Sequence, residues 1–164
     1  MSGQHHTVSD PVNARIFPKP PVVALIFIGA AFALEYIWPL RNSGAGVPAE
    51  SRIGGGVIMA CAVAIALLAA REMTRANTTY MPGEKASALV QTGVYKRTRN
   101  PMYLSMTLFT LGLGIATANL WMIVFAPLLL LYFQERVVKR EEAYLAARFG
   151  EDYRAFQRKV RRWI

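Results

Sequence analysis

The sequence contains very few of the residues that build disulfides and metal sites. Among 164 residues there is one cysteine, Cys61, and there are two histidines, His5 and His6. A single cysteine excludes an intramolecular disulfide and a cysteine-based metal cluster. Two histidines, both close to the start of the chain, argue against a histidine-rich metal centre, so we expect no metal.

Charged residues are also scarce, and acidic ones most of all. Only 18% of the residues are charged, against about 25% in typical domains, and 19 Lys and Arg face 10 Asp and Glu, for a net charge of +9. The hydrophobic content of 54% excludes intrinsic disorder. It also argues against a soluble nucleic-acid-binding protein, in which basic residues accompany an ordinary composition. We expect one domain, 1–164, with no nucleic-acid partner.

The hydrophobic residues are concentrated in three long blocks. Residues 20–40 contain one charge, Glu35, while 53–70 and 101–133 contain none. About 20 apolar residues cross a bilayer core, so the first two blocks each predict one span. The third is too long for one crossing and contains Asn119, a turn former. The sequence therefore predicts an all-α membrane protein with four transmembrane helices, the last two a tight hairpin, at about 20–40, 53–70, 101–118 and 120–135.

The positive charges predict how these spans are oriented. If both termini lie on one side, only Arg41 and Arg52 of the 19 Lys and Arg fall on the other. The positive-inside rule then places both termini, the loop 71–100 and the tail 136–164 in the cytoplasm. Within the tail, Gly150 is typical of a helix end. A second short helix carrying Tyr153, Phe156, Val160 and Trp163 is predicted to lie on anionic membrane lipid.

Two polar segments are candidates for the chemistry of the protein. Asn100 and Pro101 have the preferences of an N-cap and a first helical residue, so a helix is predicted to begin there. Its N-terminal N–H groups would attract a carboxylate or phosphate, beside Arg99 and Tyr103. A hairpin return would bring acidic residues to the same end, namely Glu135, Glu141 and Glu142. A plain cap with a basic flank, and a solvated acidic face, are the structural alternatives.

These segments together resemble a family of integral membrane enzymes. Arg-Asn-Pro-Met-Tyr at 99–103, followed about forty positions later by adjacent Glu141 and Glu142, is similar to the isoprenylcysteine carboxyl methyltransferase and phospholipid methyltransferase superfamily. The superfamily motif is Arg-His-Pro-x-Tyr with Glu-Glu, and Asn100 stands where many members have histidine. Further matching positions are Thr79, Pro82, Gly93, Tyr95, Phe149, Gly150 and Tyr153.

The resemblance implies S-adenosylmethionine as the methyl donor and a lipophilic acceptor in contact with membrane lipids. It implies a catalytic role for Glu141 and Arg99. It also implies cofactor binding by four residues: Asn100, Pro101, Tyr103 and Glu142. Carboxyl O-methylation of an isoprenylcysteine is the activity most similar to the pattern.

Three alternatives to this activity stay open. They are N-methylation of phospholipid ethanolamine, an NADPH-dependent membrane reductase of the sterol reductase type, and a membrane scaffold or transporter subunit without enzymatic activity. Elsewhere in the chain, Gly112 and Gly114 predict close packing between helices. Glu35 predicts an interfacial carboxylate.

Overall fold

All regular structure in the described part of the chain is helical. The computed structural model describes residues 18–40, 46–78 and 87–164, so Arg41, Thr79 and Pro82, used in the predictions above, lie outside the described residues. A 3₁₀ turn at Gly93–Lys96 precedes α3, and a π-helical turn at Gln134–Val138 joins α4 to α5. The five helices are α1 (Pro20–Ile37), α2 (Ala49–Arg75), α3 (Pro101–Thr117), α4 (Leu120–Phe133) and α5 (Lys139–Lys159).

Each apolar block predicted from the sequence forms helix in the structure, but each helix ends at a residue that differs from the predicted limit. Pro20–Ile37, Ala49–Arg75 and the continuous helical stretch Leu120–Lys159 are long and apolar enough to cross a membrane, and Pro101–Thr117 is a shorter apolar helix. The α1 helix ends before Pro39, because a residue that precedes proline is disfavoured in helical conformation. The α2 helix extends past the predicted end of its span at residue 70 and continues to Arg75. Polar residues continue this helix after its apolar stretch has ended.

Glycines allow α2 and α3 to approach closely. A Cβ on Gly55 would lie 2.4 Å from the Gly112 carbonyl oxygen and 2.4 Å from the backbone nitrogen of Ala116. A Cβ on Gly114 would lie 3.0 Å from Cβ of Met122 in α4. The close packing predicted at Gly112 and Gly114 is confirmed, and Gly55 is the partner of Gly112.

Asn119 shapes the connection between α3 and α4. Ala118 adopts the left-handed conformation (φ 53°), and the Asn119 N–H donates to the Gly114 carbonyl at 2.9 Å. The Asn119 carboxamide oxygen then caps α4 by accepting from the Met122 N–H at 2.9 Å. Its amide group donates to the Ala31 carbonyl at 3.3 Å, so this buried side chain also fastens the turn to α1.

The tail differs from its prediction after Lys159. The backbone turns sharply at Gly150 (φ 53°, ψ −123°), as a helix-ending glycine does, and a further helical segment follows. That helix does not reach Trp163. Val160 is extended (φ −124°, ψ 131°), and the Arg161 carbonyl accepts from the Arg99 N–H at 3.1 Å. The predicted helix through Trp163 is therefore wrong, because the extended segment reaches partners that a helix would not.

The aromatic face of the tail packs against the protein. Tyr153 and Phe156 are 1% and 4% exposed, and they form a core cluster with Ala69, Val90 and Tyr95. Trp163 donates its indole N–H to Gln134 at 3.0 Å. The sequence predicted that these aromatic residues lie on membrane lipid. In the structure they instead pack the tail against other parts of the protein.

Candidate functional site

A cavity lies where the starts of α1, α3 and α5 meet the end of α2. It contains about 760 Å³ of empty space, a figure that includes its open mouth. Its apolar wall is formed mainly by Met73, Met102, Met106, Pro20 and Pro21, and Lys19 also lines it. A largely apolar wall of this kind suits a lipophilic group.

Five of the six residues predicted for the site line this one cavity. They are Arg99, Asn100, Pro101, Tyr103 and Glu141. The sixth, Glu142, lies behind Arg99, and Glu135 lies outside the cavity as an exposed residue paired with Lys139.

Glu141 presents a carboxyl group in an environment that disfavours its charge. Tyr103 donates its hydroxyl hydrogen to Oε2 of Glu141 at 2.9 Å. Burial raises the pKa of Glu141; the Tyr103 hydrogen bond opposes that rise, and the nearby Glu142 carboxylate adds to it. A carboxyl group with a raised pKa can take or release a proton closer to neutral pH than an ordinary glutamate.

Glu142 binds two arginines instead of facing the cavity. Arg162 donates to both carboxylate oxygens, from Nε at 3.0 Å and from Nη2 at 2.7 Å, and Nη2 of Arg99 lies 3.2 Å from Oε1. The hydrogen bond to Glu142 raises the pKa of Arg162. In the same cluster, burial raises the pKa of Tyr153 to about 12. The Arg99 side chain is 10% exposed, and its Nε and Nη1 are buried without a hydrogen-bond partner among the described residues.

Asn100 is at the N-cap position of α3, but its side chain makes no capping hydrogen bond. Instead its amide group donates to the Arg162 carbonyl at 3.2 Å, and the Thr98 hydroxyl donates to the same carbonyl at 2.9 Å. The predicted helix start at Asn100 and Pro101 is confirmed, but the Asn100 carboxamide orients toward the tail and does not cap α3. Asn100 and Thr98 thereby join the start of α3 to the segment that carries Arg162.

Sequence reasoning missed Arg162 and gave Tyr95 only as a matching position. Arg162 stands in a basic run, and nothing in its spacing shows that residues 160–164 fold back. Tyr95 lines the cavity. The feature of the sequence that could have indicated it is the nearby Gly93, because a glycine suits the positive φ of 57° that this turn adopts against Glu72. The Thr92 hydroxyl donates to the Glu72 carboxylate and fixes this turn on α2.

Comparisons with known proteins match the segment that contains most of the cavity. The model of the family described as "Phospholipid methyltransferase" matches residues 51–152. An uncharacterized protein of Haemophilus influenzae is 45% identical over 67 residues, which are 38% of this chain and the whole of that protein.

A second relative has a printed activity. The protein-S-isoprenylcysteine O-methyltransferase of Schizosaccharomyces pombe is 32% identical over 76 residues, 46% of this chain. The matched segment covers 32% of the length of the yeast protein. Because the family match covers more than half of the chain and includes Arg99, Tyr103 and Glu141, we conclude that the chain belongs to the phospholipid methyltransferase family, within the superfamily of membrane methyltransferases.

Proposed function

We propose that the protein transfers the methyl group of S-adenosylmethionine to a lipophilic acceptor at the membrane, and that this acceptor is a carboxylate of the isoprenylcysteine type. The observation that carries the proposal is the convergence of Arg99, Asn100, Pro101, Tyr103 and Glu141 on one cavity. The similarity to an isoprenylcysteine O-methyltransferase supports the acceptor class.

The residues of the cavity fit this cofactor. Two buried Arg99 nitrogens have no hydrogen-bond partner among the described residues and suit a carboxylate, and the carboxyl group of Glu141 suits a cationic group. When bound, S-adenosylmethionine would supply an activated methyl group and leave as a neutral thioether. Asn100, Pro101 and Tyr103 would hold it at the start of α3, and Glu142 would contribute to binding by fixing Arg99. Methyl transfer depends on alignment, so positioning supplies much of the rate.

The proposed arrangement in the membrane has four spans, with α3 and α4 as a hairpin and both termini in the cytoplasm. The cavity would then lie at the cytoplasmic surface, where the cofactor arrives from water. A lipophilic acceptor would enter from the bilayer along the apolar wall of Met73, Met102 and Met106. This arrangement would explain why a methyltransferase is embedded in the membrane.

The test measures methyl transfer to a membrane component that an organic solvent extracts. Membranes containing the protein are incubated with S-adenosylmethionine carrying a deuterated methyl group, and the organic extract is examined by mass spectrometry. We expect a product that carries the deuterated methyl group, and we expect Glu141→Gln to lower its formation at least roughly 100-fold, because the cationic group of the cofactor would lose its carboxylate partner. Glu135→Gln, which changes an exposed glutamate on the same helical stretch, is the matched control and should be active. An active Glu141→Gln variant would contradict the assignment.

A phospholipid amine is the second candidate acceptor, because the matching family is that of phospholipid methyltransferases. An ammonium group must lose a proton before it accepts a methyl group, and Glu141 could act as the base. Mild alkaline hydrolysis distinguishes the two products, since it removes the label from a methyl ester and leaves it on an N-methyl amine. A thermal shift with NADPH, and none with S-adenosylmethionine, would instead favour a reductase.

A further inference from the structure

Tyr95 has a buried hydroxyl group that no described residue satisfies. The residue is 5% exposed, and its Oη has no hydrogen-bond partner in the described part of the chain. The residue lines the same cavity as Glu141 and Arg99. The aromatic ring packs in the cluster with Ala69 and Tyr153, so the ring is anchored while the hydroxyl is unused.

An unused buried hydroxyl is unfavourable for folding, and phenylalanine would fill the same space without that cost. Burial, followed by the effect of the Glu141 carboxylate, raises the pKa of Tyr95, so its hydroxyl is a protonated donor at neutral pH. Arg99 brings two further donors, Nε and Nη1, which also lack partners among the described residues. Unsatisfied donors at one cavity suit a ligand group that accepts several hydrogen bonds.

We propose that Tyr95 is a ligand-binding residue, whose hydroxyl donates together with the Arg99 guanidinium to an anionic oxygen group of a molecule bound in the cavity. The inference rests on the proposed function and deepens it. A carboxylate or phosphate has the required chemistry, because arginine and hydroxyl donors bind both. Two sources carry such a group: the amino acid portion of S-adenosylmethionine, and an acidic acceptor.

The experiment is Tyr95→Phe in the full chain in detergent micelles. Calorimetry measures Kd for S-adenosylmethionine and for its decarboxylated analogue, and initial rates give KM for the acceptor. If the anion belongs to the cofactor, Kd for S-adenosylmethionine rises roughly 10- to 100-fold and Kd for the analogue stays within about twofold. If the anionic group belongs to the acceptor, KM for the acceptor rises roughly 10- to 100-fold, and Kd is unchanged both for S-adenosylmethionine and for the analogue. Either result supports the inference and identifies the source.

The unfolding temperature separates ligand binding from a structural role. Because the hydroxyl has no described partner, Tyr95→Phe should unfold at the same temperature as the wild type or higher. Tyr132→Phe, at a half-buried tyrosine that packs with Phe27 and Phe133 outside the cavity, is the matched control and should leave Kd and KM unchanged.

Three results would overturn the inference. One is a Tyr95→Phe variant whose Kd and KM stay within about twofold of the wild type. Another is an equal loss of affinity for S-adenosylmethionine and its decarboxylated analogue. The third is a loss of affinity accompanied by a lowered unfolding temperature. If the wild-type protein binds no S-adenosylmethionine, the proposed function fails and the inference fails with it.

Discussion

Glu141 and Glu142 are adjacent in the chain but have opposite surroundings. Glu141 faces the cavity and accepts one hydrogen bond, from the uncharged Tyr103, whereas Glu142 is held by two guanidinium groups. The pKa of Glu141 is raised, so its protonated form is favoured by folding. The two carboxyl groups therefore contribute to stability in different ways.

The pH dependence of stability should report on Glu141. A carboxyl group whose pKa is higher in the folded than in the unfolded protein opposes folding at neutral pH. That penalty decreases as the pH falls through the raised folded pKa, toward the unfolded value of about 4.3. We expect Glu141→Gln to unfold at a higher temperature than the wild type at pH 7, and the difference to shrink as the pH is lowered. A difference that is constant between pH 7 and pH 4.5 would contradict this expectation.

Removing the charge of Glu142 should destabilise the protein, because Arg99 and Arg162 would lose their common partner. Glu142 is 11% exposed in its side chain, so Glu142→Gln should cost about 2 kcal/mol in the free energy of unfolding. Glu151 also contacts two arginines, Arg154 and Arg158, but is 68% exposed. Glu151→Gln is therefore the control and should change stability by less than about 0.5 kcal/mol. Thermal unfolding in detergent measures the stability of both variants. Equal losses in Glu142→Gln and Glu151→Gln would contradict the greater burial of Glu142.

The side chains of the cavity were largely predictable because they carry distinctive local chemistry. Arg99, Pro101, Tyr103 and the glutamate pair stand in motifs with fixed spacing. The partners of those side chains were not predictable: Arg162 reaches Glu142 because residues 160–164 fold back, and Asn100 donates to that same segment. Long-range contacts of this kind leave no periodic trace in a sequence.

At the scale of helices, α2 and α3 depend on a contact between backbones. Gly54, Gly55 and Gly56 are consecutive, but only a Cβ on Gly55 would meet neighbouring atoms within 4 Å. We expect Gly55→Ala to lower stability by about 1–3 kcal/mol, because the two helices must separate. Gly54→Ala and Gly56→Ala should be neutral or slightly stabilising, since alanine favours a helix. Unfolding of the three single variants tests this, and a harmless Gly55→Ala would contradict the packing.

Helix starts were easier to predict than helix ends. Pro20 and Pro101 begin α1 and α3 as their preference for the first helical turn requires. The end of α2 lies beyond its apolar stretch, where hydrophobicity gives no signal. The end of α5 at Lys159 depends on tertiary contacts of the following residues.

At the scale of the whole molecule, the distribution of positive charge predicts sidedness. In a Cys61→Ala background, Val47→Cys lies between α1 and α2, and Lys96→Cys lies between α2 and α3. An impermeant maleimide added to intact cells should label the first variant and leave the second unlabelled until the membrane is permeabilised. The reverse pattern would contradict the proposed cytoplasmic termini.

The π-helical turn at Gln134–Val138 determines which side chain of α5 lines the cavity. Such a turn accommodates one residue more than the α-helix around it. If this segment were wound as a regular α-helix, everything after Val138 would rotate by about 100° about the helix axis. Glu141 would leave the cavity wall, and a neighbouring side chain would take its place. The winding of a single helical turn thus decides whether the Glu141 carboxyl group lines the cavity.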